Sequence, residues 1–229
     1  VLSAAEIDAL GISLKVALLS IVVALPFALG LGLALSRLRF PGKSVIEALL
    51  TLPLVLPPVV TGYALLVLLG RNGAVGHYLD MIGIRFAFHW SGAVVAAVVM
   101  SFPLLVISIR AGFDGVDRRL EAAAESLGAG PWRRFVTVTL PLSRRHLIAG
   151  CVLAFARAFG EFGATISFVG SIPGETRTLS IAIWELLNQP GGEGSLLRLV
   201  WVALAVGIAA SFVAALLGRR AQQEAAAHD

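Results

Sequence analysis

Arg157 and Glu161 stand four residues apart inside an otherwise apolar run, and Thr165 follows at the same interval. On a helix this spacing sets guanidinium, carboxylate and hydroxyl on one face, where the two charges can pair. Ionisable side chains deep in an apolar span are costly and face a bundle interior or a wet cavity. Two uses remain open: Arg157 lends positive potential to an anion on a conduction route, or the pair is a neutral brace between helices. Because Glu161 cancels much of the field of Arg157, pairing is favoured over a direct anion site. Other groups fall short of chemistry. Gly42, Lys43 and Ser44 end like a phosphate-binding loop, but the first glycine of that pattern would fall at Arg37, and no strand precedes it. Ser91, in the run His89, Trp90, Ser91, Gly92, lacks the preceding glycine of a strained nucleophile turn. His77, His146 and His228 have no metal-ligand spacing, and Cys151 is the single cysteine, so neither a metal site nor an intrachain disulfide is expected.

The elements that carry these residues are membrane elements. Of 229 residues, 58% are hydrophobic and 14% charged, and the mean hydropathy is +0.89, which marks an integral membrane protein. A hydrocarbon core of about 30 Å needs roughly 20 apolar residues, and five runs qualify: 10–36, 45–70, 91–109, 147–169 and 196–218. The first lacks the basic start and cleavage site of a signal peptide and reads as a retained span. The run 179–187 is too short to cross and contains Glu185, so a short helix on the outer surface is expected. Basic residues mark sidedness. Arg37, Arg39 and Lys43, then Arg110, Arg118, Arg119, Arg133, Arg134, Arg144 and Arg145, then Arg219 and Arg220 fall on one side of a five-span chain. The positive-inside rule makes that side cytoplasmic, with the N-terminus outside and the C-terminus inside. The net charge of +4 does not form a groove with interleaved aromatics, so no nucleic-acid partner is expected. Trp90 and Trp201 suit interfacial anchoring in lipid.

Within the spans, Ala24, Ala28, Gly32 and Ser36 recur every fourth residue and allow close helix packing. Pro53, Pro57 and Pro58, followed by Thr61 and Gly62, predict a broken helix. Broken backbone inside a membrane is tolerated where it is buried in protein or lines an aqueous cavity. Pro57, Pro58, Thr61, Arg157, Glu161, Thr165 and Ser167 are therefore the candidate pathway or gate residues.

Between the third and fourth runs lies a long polar segment, 110–146, of a kind retained where something soluble docks. Glu121, Ala122, Ala123, Ala124 and Glu125 favour helix, and Gly128, Gly130 and Pro131 end it abruptly. Such a short helix with small side chains could seat in a partner's groove. Glu121, Ala123, Ala124, Gly128, Val138, Leu140 and Pro141 resemble the EAA loop of ABC importer permeases, with Glu121 one residue farther from Gly128 than is common in the broad family. The stretches 52–63, 159–170 and 172–178 are similar to the molybdate permeases, with the sulfate permeases as nearest alternative. The resemblance covers nearly the whole chain. It implies an all-α type I ABC importer permease fold in a bacterial inner membrane. It also implies a homodimer, two cytoplasmic ATPase subunits holding ATP and Mg, and a periplasmic or extracellular oxyanion-binding protein, with no cofactor on this chain. Glu121, Ala122, Ala123, Ala124, Glu125, Leu127, Gly128, Ala129 and Trp132 would couple to the ATPase, and molybdate or tungstate would cross by alternating access. A membrane hydrolase or a channel is the reading from another class. The missing catalytic set disfavours the first and the docking loop the second.

Overall fold

The computed structural model describes the backbone of residues 2–191 and 193–226, with side chains as far as residue 216. Arg219 and Arg220 lie beyond the described side chains, and His228 lies outside the described residues.

Helix α1 (Ala4–Arg37) starts on a capping box: Ser3 Oγ accepts from the Glu6 N–H, and the Ser3 N–H donates to Glu6 Oε2 at 2.7 Å. At 1.5 Å per residue it is about 51 Å long, enough to cross a bilayer core at a tilt or to protrude from it. Its buried stripe includes Ala24, Ala28, Gly32 and Ser36, the small residues that the spacing picks out. The stripe lies on α5 (Trp90–Asp114), where a Cβ on Gly32 would come within 2.8 Å of Ile109 Cγ2. Helix α5 occupies the centre, between α1 and α8 (Leu140–Phe159), and buries Met100, Leu105, Val106, Ile109 and Phe113.

The second apolar run is two helices, α2 (Lys43–Val55) and α3 (Pro58–Leu69), bent by 111°. Two consecutive prolines explain the break: Pro57 and Pro58 have no N–H, and Leu56 before them is extended. The fourth run differs from a single span. Helix α8 begins at Leu140, before the apolar stretch, and ends at Phe159, and α9 (Gly163–Val169) continues at 55° to it. Gly160 terminates α8, its N–H bonded to Ala156 O. A short helix α4 (Gly76–Met81) sits in the loop before α5. Helix α10 (Leu179–Leu187), about 14 Å long by helical rise, is too short to cross. It packs Leu179, Ile181 and Ala182 inward against α1 and α11 (Glu193–Ala226) and leaves Trp184 and Leu187 exposed on its other face.

Polar contacts establish which ends lie together. Arg198 Nη2 donates to Glu6 Oε1 at 2.8 Å, the Leu179 N–H donates to Ser13 Oγ at 2.6 Å, and Lys15 Nζ lies 3.7 Å from the Trp90 ring centroid. The starts of α1, α5 and α11 are thus at one end. At the other, Ser36 Oγ donates to Asp114 Oδ1 at 2.5 Å and Arg110 Nη1 to Glu47 Oε1 at 2.7 Å. Among the described residues, 3 helices are long and apolar enough to cross a membrane, or up to 5 elements if each bent pair counts as one.

Candidate functional site

Past Asp114 the chain leaves the bundle. Asp117 caps helix α6 (Arg118–Ser126) by accepting from the Arg119 N–H at 2.8 Å. The C-terminal end is closed by two reverse bonds, Gly128 N–H to Glu125 O at 2.9 Å and Ala129 N–H to Ala124 O at 3.0 Å. This Schellman arrangement requires the residue after the cap to be left-handed, and Gly128 has φ 85°. No residue of α6 is buried. Ala122, Ala123, Glu125 and Gly128 are exposed, Ala124 and Ala129 are half-buried, and Leu127 and Trp132 are 87% and 75% exposed. A large aliphatic and a tryptophan are thus held out beside a rigid helix end, outside any core of the chain.

Glu121 behaves differently. Its Oε1 turns toward the spans and accepts from Arg37 Nη2 at 2.9 Å and from Thr139 Oγ1 at 2.6 Å. Helix α7 (Pro131–Arg134) and a single π turn (Phe135–Thr139) return the chain to α8. The turn widens so that the Leu140 N–H bonds Phe135 O, just ahead of Pro141, which can offer no N–H to Thr137 O.

The two breaks in the apolar runs face each other. Gly163 lies on Pro58, where a Cβ would meet Pro58 Cβ at 2.8 Å. Gly62 lies on α9, where a Cβ would meet Ala164 Cα at 2.8 Å and Ser167 Cβ at 2.9 Å, with the Ala164 carbonyl oxygen closer still. Thr61 and Thr165 are buried beside this contact, and the Thr61 hydroxyl has no partner. Ser167 Oγ donates to Gly163 O at 2.8 Å, and Pro57 is exposed while Pro58 is half-buried.

Arg157 in the last turn of α8 pairs with Glu161 inside the second break. The Arg157 side chain is 28% exposed and that of Glu161 2%. The other carboxylate oxygen of Glu161 accepts from the Ala164 N–H at 2.8 Å, in the first turn of α9. The cation thus sits at the C-terminal end of α8 and the anion at the N-terminal end of α9, each favoured by the adjoining helix dipole. The geometry supports the brace: both carboxylate oxygens are engaged and the guanidinium is neutralised. Glu161→Ala is expected to destabilise the chain by about 3–5 kcal/mol, because it strands a partly buried cation and uncaps α9. Thermal unfolding in detergent checks this, and a melting point unchanged within error would remove the brace.

Sequence reasoning reached the helix ends at Gly128, Pro57 and Pro58, and the Arg157–Glu161 pair. It missed the packing of Gly62 on α9 and the inward turn of Glu121. A signal existed for each: a glycine within a few residues of each break, and the extra residue between Glu121 and Gly128. Arg37, read as a topology marker, is a structural partner as well.

The profile of the family described as "Binding-protein-dependent transport system inner membrane component" matches residues 24–223. The chain is 50% identical over 226 residues to the molybdenum transport system permease protein ModB of Escherichia coli K12, covering 98% of this chain and 99% of that protein. It is 46% identical over 220 residues to the ModB protein of Haemophilus influenzae, covering 96% of each. Among solved structures, a bacterial ABC transporter involved in import of the acidic polysaccharide alginate superposes with a TM-score of 0.70 at 16% identity, over 96% of this chain and 80% of that one. That likeness establishes the fold, an all-helical type I ABC importer permease. The chain therefore belongs to the family of binding-protein-dependent transport system inner membrane components, and it is a multi-pass transport subunit rather than an enzyme.

Proposed function

We propose that this chain is the permease subunit of an ATP-driven molybdate importer. The observation that carries the reading is 50% identity across 98% of the chain to a molybdenum permease. Two copies form the route, two ATPase subunits holding ATP and Mg dock on the cytoplasmic side, and an oxyanion-binding protein delivers substrate from outside. The basic residues after α1 and around α6 support a cytoplasmic position for those ends by the positive-inside rule. Helix α6 seats in the ATPase, with Leu127 and Trp132 as anchors.

Desolvating even one charge costs many kcal/mol, so a doubly charged tetrahedral oxyanion needs a wet, polar route. Polar groups at the α3 and α9 breaks suit such a route, and a strongly cationic site would hold the ion too long. The neutralised Arg157 fits that requirement. Alternating access follows when ATPase closure draws the two copies of α6 together. Tungstate, an equally charged tetrahedral oxyanion, is expected to share the route.

Reconstitution in vesicles with the ATPase and binding protein tests the reading. ATP-dependent uptake of molybdate and tungstate should exceed that of sulfate by about tenfold or more, equivalent to roughly 1.4 kcal/mol. Sulfate uptake at an equal rate would reassign the substrate, and oxyanion flux without ATP would make the protein a channel.

A further inference from the structure

Helix α6 buries none of its own residues, yet a device that passes force to the spans needs a stiff attachment to them. The structure offers one in Glu121. Its carboxylate holds Arg37, the last residue of α1, and Thr139, the residue before α8 begins. All three side chains are shielded: Arg37 and Glu121 are 17% and 14% exposed, and Thr139 is buried. Arg37 Nε is buried without a partner, so the compensation of this guanidinium falls on Glu121. The neighbouring Ser36 is bonded to Asp114, which joins the same foot of α1 to the end of α5.

We propose that the Arg37–Glu121 pair is a strap that makes the foot of α1 travel with α6, so that Arg37 is a positioning residue for transport although it touches neither ATPase nor substrate. The proposal rests on the coupling reading above. Helix α6 cannot shift relative to α1 without separating a largely desolvated ion pair, and that cost keeps the two elements together during the stroke. Through Thr139 the same carboxylate also holds the start of α8, the helix that ends at the Gly160 break.

The test uses the complete reconstituted transporter and reads two quantities, retention of the ATPase subunits on purification and oxyanion transported per ATP hydrolysed. Arg37→Gln should keep the ATPase subunits bound while transport per ATP falls about tenfold. The exchanged pair R37E/E121R should restore the ratio to within about threefold of wild type. An unchanged ratio in R37Q overturns the strap, as does a swap that recovers nothing. Loss of the ATPase subunits from R37Q also overturns it, since the pair would then merely shape the docking surface. If R37Q fails to insert, Arg37→Lys keeps the charge without the planar fork and should lower the ratio by about threefold, with no change again counting against the proposal. A wild-type chain that does not co-purify with an ATPase would defeat the coupling reading itself, an outcome distinct from all of these.

Discussion

Leu127→Asp is expected to strip the ATPase subunits from the purified complex while the membrane helices insert as before. Leu127 is 87% exposed at the closed end of α6, so its aliphatic side chain is stabilised by nothing within the chain. A side chain of this kind gains its energy on docking, and truncating a central anchor costs about 2 kcal/mol or more, roughly thirtyfold in affinity. A buried aspartate would cost further. Gly128 supplies a control at the adjacent position, since a Cβ there meets nothing within 4 Å and the only internal penalty is its left-handed φ of 85°. Gly128→Ala should therefore weaken the helix end by about 1 kcal/mol, whereas Gly128→Trp should also block docking. Co-purification and transport-linked ATPase activity read the outcome. Wild-type retention of the ATPase by Leu127→Asp would show that this face is not the docking surface.

Gly62→Leu is the second large effect, and it acts inside the membrane. Even the first carbon of a side chain at this position would press on backbone atoms of α9, which cannot rotate away as a side chain can. Overpacking typically costs about 1–3 kcal/mol where side chains yield, and more is expected here because a helix must move. Separating α3 from α9 would also pull Pro58 away from Gly163 and displace Glu161 from the Ala164 N–H. Transport should fall below about a hundredth of wild type, equivalent to roughly 2.7 kcal/mol, with the chain still detectable in the membrane. Near-normal uptake would mean that the facing breaks are incidental to the route. Gly30, around which a Cβ meets nothing within 4 Å, is the matching control: Gly30→Leu should leave uptake within about twofold.

The membrane class was plain in the sequence because it follows from sums over many residues. So were the helix ends at Gly128 and at Pro57 and Pro58, because a missing Cβ or a missing N–H acts locally on its own backbone. What was not legible depends on the direction of a single side chain. Whether Glu121 points out toward a partner or in toward Arg37 turns on its rotation about the helix axis, about 100° per residue, and a shift of one position decides it. The face of α9 that Gly62 meets depends likewise on the 111° and 55° bends, which a list of prolines and glycines announces without giving their angles. Arg157 and Glu161 were readable as a pair because a spacing of four brings two side chains together on a helix, and they still meet although Glu161 lies just past the end of α8. The bond from the Ala164 N–H to Glu161 was not, since α9 begins only after a break.

The closure of α6, with Asp117 at one end and the Gly128 turn at the other, is made by bonds within residues 117–129 and so holds the helix without help from the bundle. In the proposed docking the outward residues of the helix meet the ATPase, whereas the residues of the bundle pack on lipid and on each other. Glu121, on the same helix, is tied instead to Arg37 and Thr139 of the bundle.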